Sequence, residues 1–396
     1  MNYAQRAAQL SGTIAGHRHW LHQHAELSLQ ETETTAYLAG QLRDLGIPVL
    51  TFEDYPGCIA TIQGGKPGKT VMLRADIDAL PIQENSGVDF ESQNPGVMHA
   101  CGHDCHASML LGAAQMLWES REDLSGTVKL LFQSGEEVFI GSHYYWDQGH
   151  LSDVDAAMGL HVWATAPNGT LCVQDGPLMA SCDNFKLTVH GVSCHGSTPN
   201  IGKDAIVAAS AIIMALQTVV SRVSDPRDMV VVTVGKVQAG TQFNIITDTA
   251  VLEGTVRAHN PAARQLAADS IRHIVETTAS AMGCTADLEY NFLEPPVCNN
   301  DTALNEVARD AARELYGPEI LASTLPATGS EDFSYLMEKI PSSLFVFLGC
   351  YDEEHGCVHP VHNEKFKINE DILPIGAAQY AQFAARYLEK TAGGAK

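Results

Sequence analysis

The stretch TVMLRAD, Thr70–Asp76, is the first of four apolar runs that decide the fold class. The other three are TVKLLFQ (127–133), DAAMGLHV (155–162) and SSLFVFLG (342–349), and each run ends in a polar cluster. Stretches of helical periodicity alternate with these runs, with candidate helices at 108–119, 303–316 and 372–389. Strands that alternate with helices predict an α/β domain with a largely parallel sheet.

The two ends of the chain extend this pattern. Leucines and alanines recur at helical spacing from Tyr3 to about Arg43, with an interruption near Leu27–Glu31 where we expect a turn. At the other end, TAGGAK (391–396) predicts a loose tail.

The segment from 180 to 292 has a different rhythm. It predicts, in order, a strand, a helix, two strands, a helix and a strand: 185–190, 203–223, 229–237, 250–258, 261–282 and 285–290. This β-α-β-β-α-β order is the ferredoxin-like plan. Because the α/β pattern resumes after Pro295-Pro296, we expect one domain formed by 1–179 and 293–396, with 180–292 inserted as a second domain.

Composition limits the classes of partner. The 396 residues carry 24 Lys and Arg against 47 Asp and Glu, a formal charge of −23 that disfavours binding to nucleic acids or anionic membranes. The longest predominantly apolar run, Ala205–Leu216, is shorter than the roughly 20 residues of a membrane span, and the N-terminus lacks a signal-peptide pattern. We therefore expect a cytoplasmic protein whose partners are small molecules or other proteins.

The clearest chemical signal is MHACGHDCH, Met98–His106. Cys101 and His103 stand two residues apart just before a predicted helix, and thiolate and imidazole are ligands of transition metals. The alternative is a set of polar surface residues at a helix entry, with Asp104 as a cap. We interpret the cluster as half of a metal site and assign His99 and His106 to supporting positions.

A second signal is the pair Glu136-Glu137, directly after a predicted strand. Neighbouring side chains of an extended segment point in opposite directions, so one carboxylate can bind metal while the other handles a proton. A solvated acid pair is the alternative, but Asp76, Asp78 and His161 follow neighbouring strands, and ligands bind beyond the carboxyl ends of such strands. The late loop CVHPVHNEKF (357–366) adds His359 and His362 as candidates for a last ligand.

Other chemistries have less support. The chain contains no G-x-S-x-G, H-E-x-x-H, G-x-x-x-x-G-K-[ST] or G-x-G-x-x-G pattern. These absences disfavour a serine nucleophile, a phosphate loop and a dinucleotide site. A cysteine nucleophile at Cys101 stays open at this point.

Six motifs, in order and spacing over nearly the whole chain, resemble the amidohydrolase branch of the di-metal aminoacylase and carboxypeptidase family. They are RADIDALP (74–81), MHACGHD (98–104), GEE (135–137), GLHV (159–162), GSEDF (329–333) and HNEKF (362–366). That branch includes hippurate hydrolases, N-acetylamino-acid deacetylases and auxin-conjugate hydrolases. The resemblance implies a metal-binding catalytic domain with an inserted lid and dimerisation domain, and a homodimer or higher homo-oligomer.

The resemblance also implies a site for two divalent ions, which could be Zn, Mn, Co or Ni. Five residues match its metal ligands: Cys101, His103, Glu137, His161 and His362. Glu136 matches the general base that works on a metal-activated water. The resemblance does not make Asp76 a ligand, because other branches of the family have histidine at the corresponding position. Asp78 is expected to orient a ligand or the base.

In the inserted domain, His195 matches a histidine that stabilises the oxyanion in the neighbouring subunit, although alone it would be interpreted as a surface residue. Asn244 and Arg257 resemble residues that hold a substrate carboxylate, and Gly329 belongs to a loop resembling a pocket wall. The alternative for Arg257 is an exposed strand charge.

Taken together, these residues predict a metal-dependent amidohydrolase that cleaves N-acyl amino acids to a carboxylate and a free amino acid. A dipeptidase with the same site, and a non-catalytic metal-binding or redox module, are the alternatives. Tyr144, Tyr145 and Trp146 depart from the family pattern and would either reshape the acyl pocket or pack in the core. The histidines of HRHWLHQH (17–24) are expected in solvent, with His22 turned inward.

Overall fold

The computed structural model describes residues 1–392, and the chain divides into two compact units. Of the described residues, the larger unit takes 1–176, 299–325 and those from Tyr335 onward. The smaller unit takes Pro177–Cys298 and Pro326–Ser334. Each unit has its own hydrophobic core.

The larger unit contains an eight-stranded sheet. Its strands are β1 (Val49–Thr51), β2 (Gly57–Gln63), β3 (Lys66–Asp76), β4 (Ser125–Gln133), β5 (Ala156–Pro167), β6 (Leu171–Cys172), β15 (Leu321–Ala322) and β16 (Ser343–Tyr351). They lie in the order β1-β2-β4-β3-β5-β16-β6-β15. The four predicted apolar runs are β3, β4, β5 and β16, which form the parallel centre of the sheet. Their near-continuous burial is typical of parallel strands covered on both faces, and the predicted α/β class is confirmed.

The larger unit also contains helices, several of which contact the sheet. They are α1 (Tyr3–Gln9), α2 (Ser11–Gln23), α3 (Thr32–Asp44), α4 (His103–Glu119), α5 (Gly141–Asp147), α8 (Thr302–Tyr316), α9 (Phe333–Lys339), which begins at the unit boundary, and α10 (Leu373–Ala392). The predicted turn near Leu27–Glu31 separates α2 from α3. Helix α4 is buried along most of its length between α2 and α10, which places its first residues deep in the unit. The expected tail begins inside α10, because Thr391 and Ala392 are helical, and 393–396 lie outside the described residues.

The smaller unit has the predicted β-α-β-β-α-β order. Its elements are β8 (Cys182–His190), α6 (Ala205–Thr218), β10 (Val230–Ala239), β12 (Thr249–Ala258), α7 (Pro261–Ala281) and β13 (Thr285–Glu294). The antiparallel sheet has the order β10-β12-β8-β13, which is the ferredoxin-like arrangement. Four short strands form two further two-stranded sheets, one from β9 (Cys194–His195) and β11 (Ile245–Ile246) and the other from β7 (Gly176–Met179) and β14 (Val297–Asn299).

Helix α6 begins at a cap, since the Asp204 carboxylate accepts the backbone N–H groups of Ile206 and Val207. A π-helical turn, Val219–Val223, prolongs it beyond the apolar run seen in the sequence. Over Ala205–Val223 the segment is long and apolar enough to pass for a membrane span, a test that the core helices of soluble proteins also pass. Its inner face packs on the four-stranded sheet, while Met214 is 71% exposed on the other side.

Candidate metal centre

Cys101 and His103 lie at the start of α4, on either side of Gly102. Gly102 has φ +90°, and a Cβ there would lie 2.5 Å from Cγ2 of Val162 on β5. Glycine is therefore needed both for the left-handed backbone and for the close approach to β5. This turn holds both buried side chains at the entrance of the helix.

The candidate ligands form two groups that share Cys101. Donor atoms of Cys101, His103 and His161 lie within 4.8 Å of one another, and so do those of Cys101, Glu137 and His362. The Cys101 Sγ lies 3.3 Å from His161 Nε2. The structure thus brings together all five residues predicted as ligands.

Two buried atoms test whether a cation fits. His103 Nε2 and Glu137 Oε1 have no hydrogen-bond partner among the described residues, and they lie 4.0 Å apart. His362 Nε2 lies 3.4 Å from the same Glu137 oxygen. Leaving such atoms unpaired costs about 1–3 kcal/mol each in a buried site, so their convergence fits a cation that binds them. Thiolate, imidazole and carboxylate are also the donor types that divalent transition metals select.

Hydrogen bonds behind the ligands fix their orientation. His103 Nδ1 lies 3.2 Å from Asp78 Oδ1, and His161 Nδ1 lies 2.6 Å from the carbonyl oxygen of Val162. When Nδ1 of each imidazole carries the proton and donates these bonds, the lone pair of Nε2 faces the cluster and is available to a metal ion. Asp78 therefore has the orienting contact expected of it.

Asp76, His103 and His106 form a further group of potential donors. Both nitrogens of His106 are already engaged, because Nδ1 lies 2.5 Å from Asp76 Oδ1 and Nε2 accepts the N–H of Val162. Asp76 also accepts a hydrogen bond from Arg74. These contacts are those of residues that support the site, which is the position predicted for His106, and they agree with leaving Asp76 out of the predicted ligands.

Burial and charge act in opposite directions at the two inner histidines. Burial lowers the pKa of His103, but the carboxylates of Asp76, Asp78 and Glu137 outweigh it and raise the pKa to about 10. Burial holds the pKa of His161 well below its usual value, and the neighbouring His106 adds to that effect. The carboxylates around His103 therefore favour a positive charge at this imidazole, and they would likewise favour a bound cation.

The glutamate pair lies on a short 3₁₀ turn, Glu136–Val138, just after β4. Gly135 starts the turn with φ +77°. His103, Glu136 and Glu137 offer donor atoms within 4.8 Å of one another, so Glu136 borders the ligand cluster. Glu136 is only 6% exposed, which makes it a poorly solvated carboxylate beside the predicted metal position.

Two details differ from the sequence interpretation. His161 lies inside β5, which continues to Pro167 instead of ending near the histidine, because β16 keeps pairing with it. His359 belongs to none of the donor groups that the described residues form, although it lines a cleft of about 440 Å³ with His362.

The residues predicted in the inserted domain fall into two places of the smaller unit. His195 lies on β9 and Asn244 in the turn just before β11, where both are exposed and Gly196 N–H bonds to the Asn244 carbonyl oxygen. Arg257 on β12 is half-buried and donates to the Thr255 hydroxyl and the Val256 carbonyl. The Gly329 carbonyl accepts the N–H of Ala180, beside the strand end that carries Arg257.

Tyr144 and Tyr145 take part in packing. Tyr144 stacks on Tyr55 with ring centroids 3.8 Å apart, and buried Tyr145 donates to the carbonyl oxygen of Pro56. The packing alternative is therefore the one that their contacts support. Of the early histidines, His22 is buried as expected, whereas His17, His19 and His24 are half-buried and hydrogen-bonded instead of free in solvent.

Sequence reasoning missed Glu31, a fully buried carboxylate behind the glutamate turn. Its oxygens accept the hydroxyl of Ser134 and the N–H of Gly135. These partners are more than a hundred residues away along the chain, and the only signal in the sequence was the break in helical periodicity near Leu27–Glu31.

The chain is similar to known proteins in both sequence and fold. Residues 72–386 match the profile of peptidase family M20/M25/M40. The N-acetyl-L-cysteine deacetylase of Bacillus subtilis (strain 168) is 39% identical over 96% of this chain and 89% of its own length. Thermostable carboxypeptidase 1 of Saccharolobus solfataricus is 37% identical over 94% of this chain and 95% of its own. A crystal structure of a dinuclear metal-binding peptidase of the M20 family from Bacillus subtilis superposes with TM-score 0.86 at 35% identity, covering 96% of this chain and 99% of that one.

Proposed function

The chain belongs to peptidase family M20/M25/M40, as a hydrolase of amide bonds with a dinuclear metal site, and on that premise we propose that it is an N-acyl-amino-acid amidohydrolase. The reaction would convert an N-acetyl, N-benzoyl or similar small conjugate to a carboxylate and a free amino acid. The observation that carries the proposal is the buried Glu136 carboxylate beside two groups of metal donors.

Cys101, His103, Glu137, His161 and His362 are the residues we propose to hold the two ions, and Zn, Mn, Co or Ni suits this donor set. Bound divalent ions polarise a carbonyl group and lower the pKa of water. The protein supplies their orientation through Asp78 and the Val162 carbonyl, which fix the two inner imidazoles.

Glu136 is proposed as the general base. Its carboxylate would take a proton from the attacking water and later give it to the nitrogen of the departing amino acid. Because Glu136 is only 6% exposed, bulk water competes weakly for the carboxylate.

The remaining predicted residues concern the substrate. Arg257 presents a planar cation suited to the carboxylate of an amino acid, with Asn244 and Gly329 as further contacts, and His195 would stabilise the oxyanion. The relative named N-acetyl-L-cysteine deacetylase supports an N-acyl amino acid as substrate. The relative named thermostable carboxypeptidase 1 favours a second candidate, cleavage of short peptides at the same site.

The test is hydrolysis of a panel of N-acetyl, N-benzoyl and longer N-acyl amino acids beside dipeptides, with each of the four metals. Glu136→Gln should lower kcat by about 10²–10⁴-fold and leave the bound metal unchanged, since the amide cannot accept the proton. His143→Gln, on the neighbouring helix α5, is the matched control and should keep full activity. Dipeptides cleaved in preference would establish the second candidate, and full activity of Glu136→Gln would refute the assignment of the base.

We also propose a homodimer formed through the smaller unit. Helix α6 exposes an apolar stripe that contains Val207 and Met214, which are 53% and 71% exposed. Stripes of this kind mark protein interfaces more often than free surface. The cytoplasmic location inferred from composition stays a prediction.

A further inference from the structure

The turn between α2 and α3 places a carboxylate behind the glutamate pair. Glu31 is fully buried, and both of its oxygens lie 2.7 Å from the Ser134 hydroxyl. Its Oε1 also accepts the N–H of Gly135 at 3.2 Å. We propose that Glu31 is a positioning residue that sets the orientation of Glu136 for proton transfer.

The hydrogen bonds of the turn show how this would work. The N–H of Gly135, before Glu136, is held by Glu31, and the N–H of Glu137, after it, is held by Asp78 Oδ2 at 3.0 Å. Two buried carboxylates thus fix the backbone on both sides of the base. Misplacement by about 1 Å can cost a hundredfold in rate, so such a clamp would matter for catalysis.

Glu31 is not used by its own helix. It stands at the N-cap of α3, where side chains usually bond to the first backbone N–H groups, yet it makes no such bond. Glu26 accepts the N–H groups of Glu33 and Thr34 in its place. The carboxylate of Glu31 is therefore free to reach the other turn.

Maintaining this contact has a cost. Glu31 is shielded from solvent, and this burial together with the nearby charge of Asp78 raises its pKa to about 8. Leu29 takes φ +66°, a conformation uncommon for a branched side chain, and its Cδ2 would lie 3.0 Å from a Cβ at Gly135. The side chain of the strained residue Leu29 and the carboxyl group of Glu31 therefore both lie next to Gly135, the residue before Glu136.

This inference rests on the proposed function, because it assumes that Glu136 moves the proton. The experiment compares Glu31→Ala, Glu31→Gln and Glu31→Asp with the unaltered enzyme, each loaded with metal. Glu31→Ala should lower kcat by about 10- to 100-fold with KM within about twofold, while Glu31→Gln, which keeps one acceptor oxygen, should recover most of the rate. The bound metal should stay at two ions per chain in all variants.

A double-mutant cycle provides the sharpest readout. In the Glu136→Gln background, Glu31→Ala should have almost no further effect on kcat, because the group that it positions no longer accepts a proton. If the two substitutions together lowered kcat by the product of their separate effects, the proposal would be overturned. Loss of metal from Glu31→Ala would overturn it as well. If Glu31→Ala does not fold, Glu31→Asp tests the same point, since it keeps a carboxyl group but shortens the side chain and withdraws that group from Ser134 and Gly135.

The control is Asn305→Ala in α8, which removes the hydrogen bonds from the Asn305 amide to the Asn299 carbonyl oxygen and the Asp175 carboxylate, and which should reduce stability without changing kcat. Wild-type kcat in Glu31→Ala would overturn the inference alone. Absence of amide hydrolysis in the unaltered enzyme would instead refute the proposed function, so the two failures are distinguishable.

Discussion

At the scale of single residues, Cys101 differs from the other candidate ligands because its Sγ belongs to both donor groups. His161 belongs to one group with Cys101, and His362 belongs to the other. Cys101→Ala should therefore release both ions, whereas His161→Ala and His362→Ala should each retain about one ion per chain. Metal analysis of the dialysed variants measures this directly.

His359→Ala is the control for that experiment. His359 lies near His362 but outside the donor groups, so this variant should keep both ions. Full metal content in Cys101→Ala would contradict the shared position of the thiol.

Residues with strong local patterns could be predicted, and those that depend on distant partners could not. The Cys-Gly-His spacing and the Glu-Glu pair are visible in the sequence, because a few adjacent residues already define the chemistry. Glu31 and the buried bonds of Asp76 become visible only when β3, β4 and α3 come together. Burial and a long-range partner give such an acid its role, and neither is encoded locally.

At the scale of elements, helices α2 and α4 are joined by a buried charge network. His22 Nδ1 lies 2.9 Å from Asp104, and its Nε2 lies 2.9 Å from Glu84. Burial lowers the pKa of His22, but Asp104 and Glu84 outweigh it and raise the pKa from 6.5 to about 9. A raised pKa means that the stabilisation is complete below about pH 6.5 and is lost as pH rises through about 9.

We therefore expect the free energy of unfolding of the metal-free protein to fall between pH 6.5 and 9.5, by at most about 3 kcal/mol from this histidine. Urea denaturation at several pH values measures the slope. His22→Gln should reduce the slope by the share that this histidine contributes, and His273→Gln, at an exposed position on α7, should leave it unchanged. An equal slope in His22→Gln and the unaltered protein would show that protonation of His22 does not contribute to the free energy of unfolding.

Element types and order followed well from periodicity in both units. The long strands were visible because burial on both faces demands continuous apolar runs, as in β3 and β16. Short strands such as β1 and β6 were missed, since two or three residues carry no period and pair only because a longer neighbour is present. The extension of β5 beyond His161 likewise depends on pairing with β16.

At the scale of the whole molecule, the net charge of −23 makes association through charged surfaces unfavourable. The proposed dimer therefore requires an apolar interface, and the exposed stripe of α6 supplies one. Met214→Glu places a charge in that stripe and should convert the proposed dimer to a monomer with reduced activity. Sedimentation velocity measures the change.

Leu50→Glu is the matched control for the interface. Leu50 is 48% exposed on β1 in the larger unit, so the same change there should leave the dimer intact. A Met214→Glu protein that stays dimeric would exclude this face of α6 as the interface.

Gly102 gives the centre a constraint on how it can evolve. This glycine binds no metal, yet its φ of +90° and the 2.5 Å approach of Val162 leave no room for any side chain. A lineage that exchanged either flanking ligand for another donor type would still have to retain the glycine. Substitutions at Cys101, Gly102, His103 and Val162 are therefore coupled. Val162 is constrained by the glycine that it contacts, although neither of these two residues binds metal.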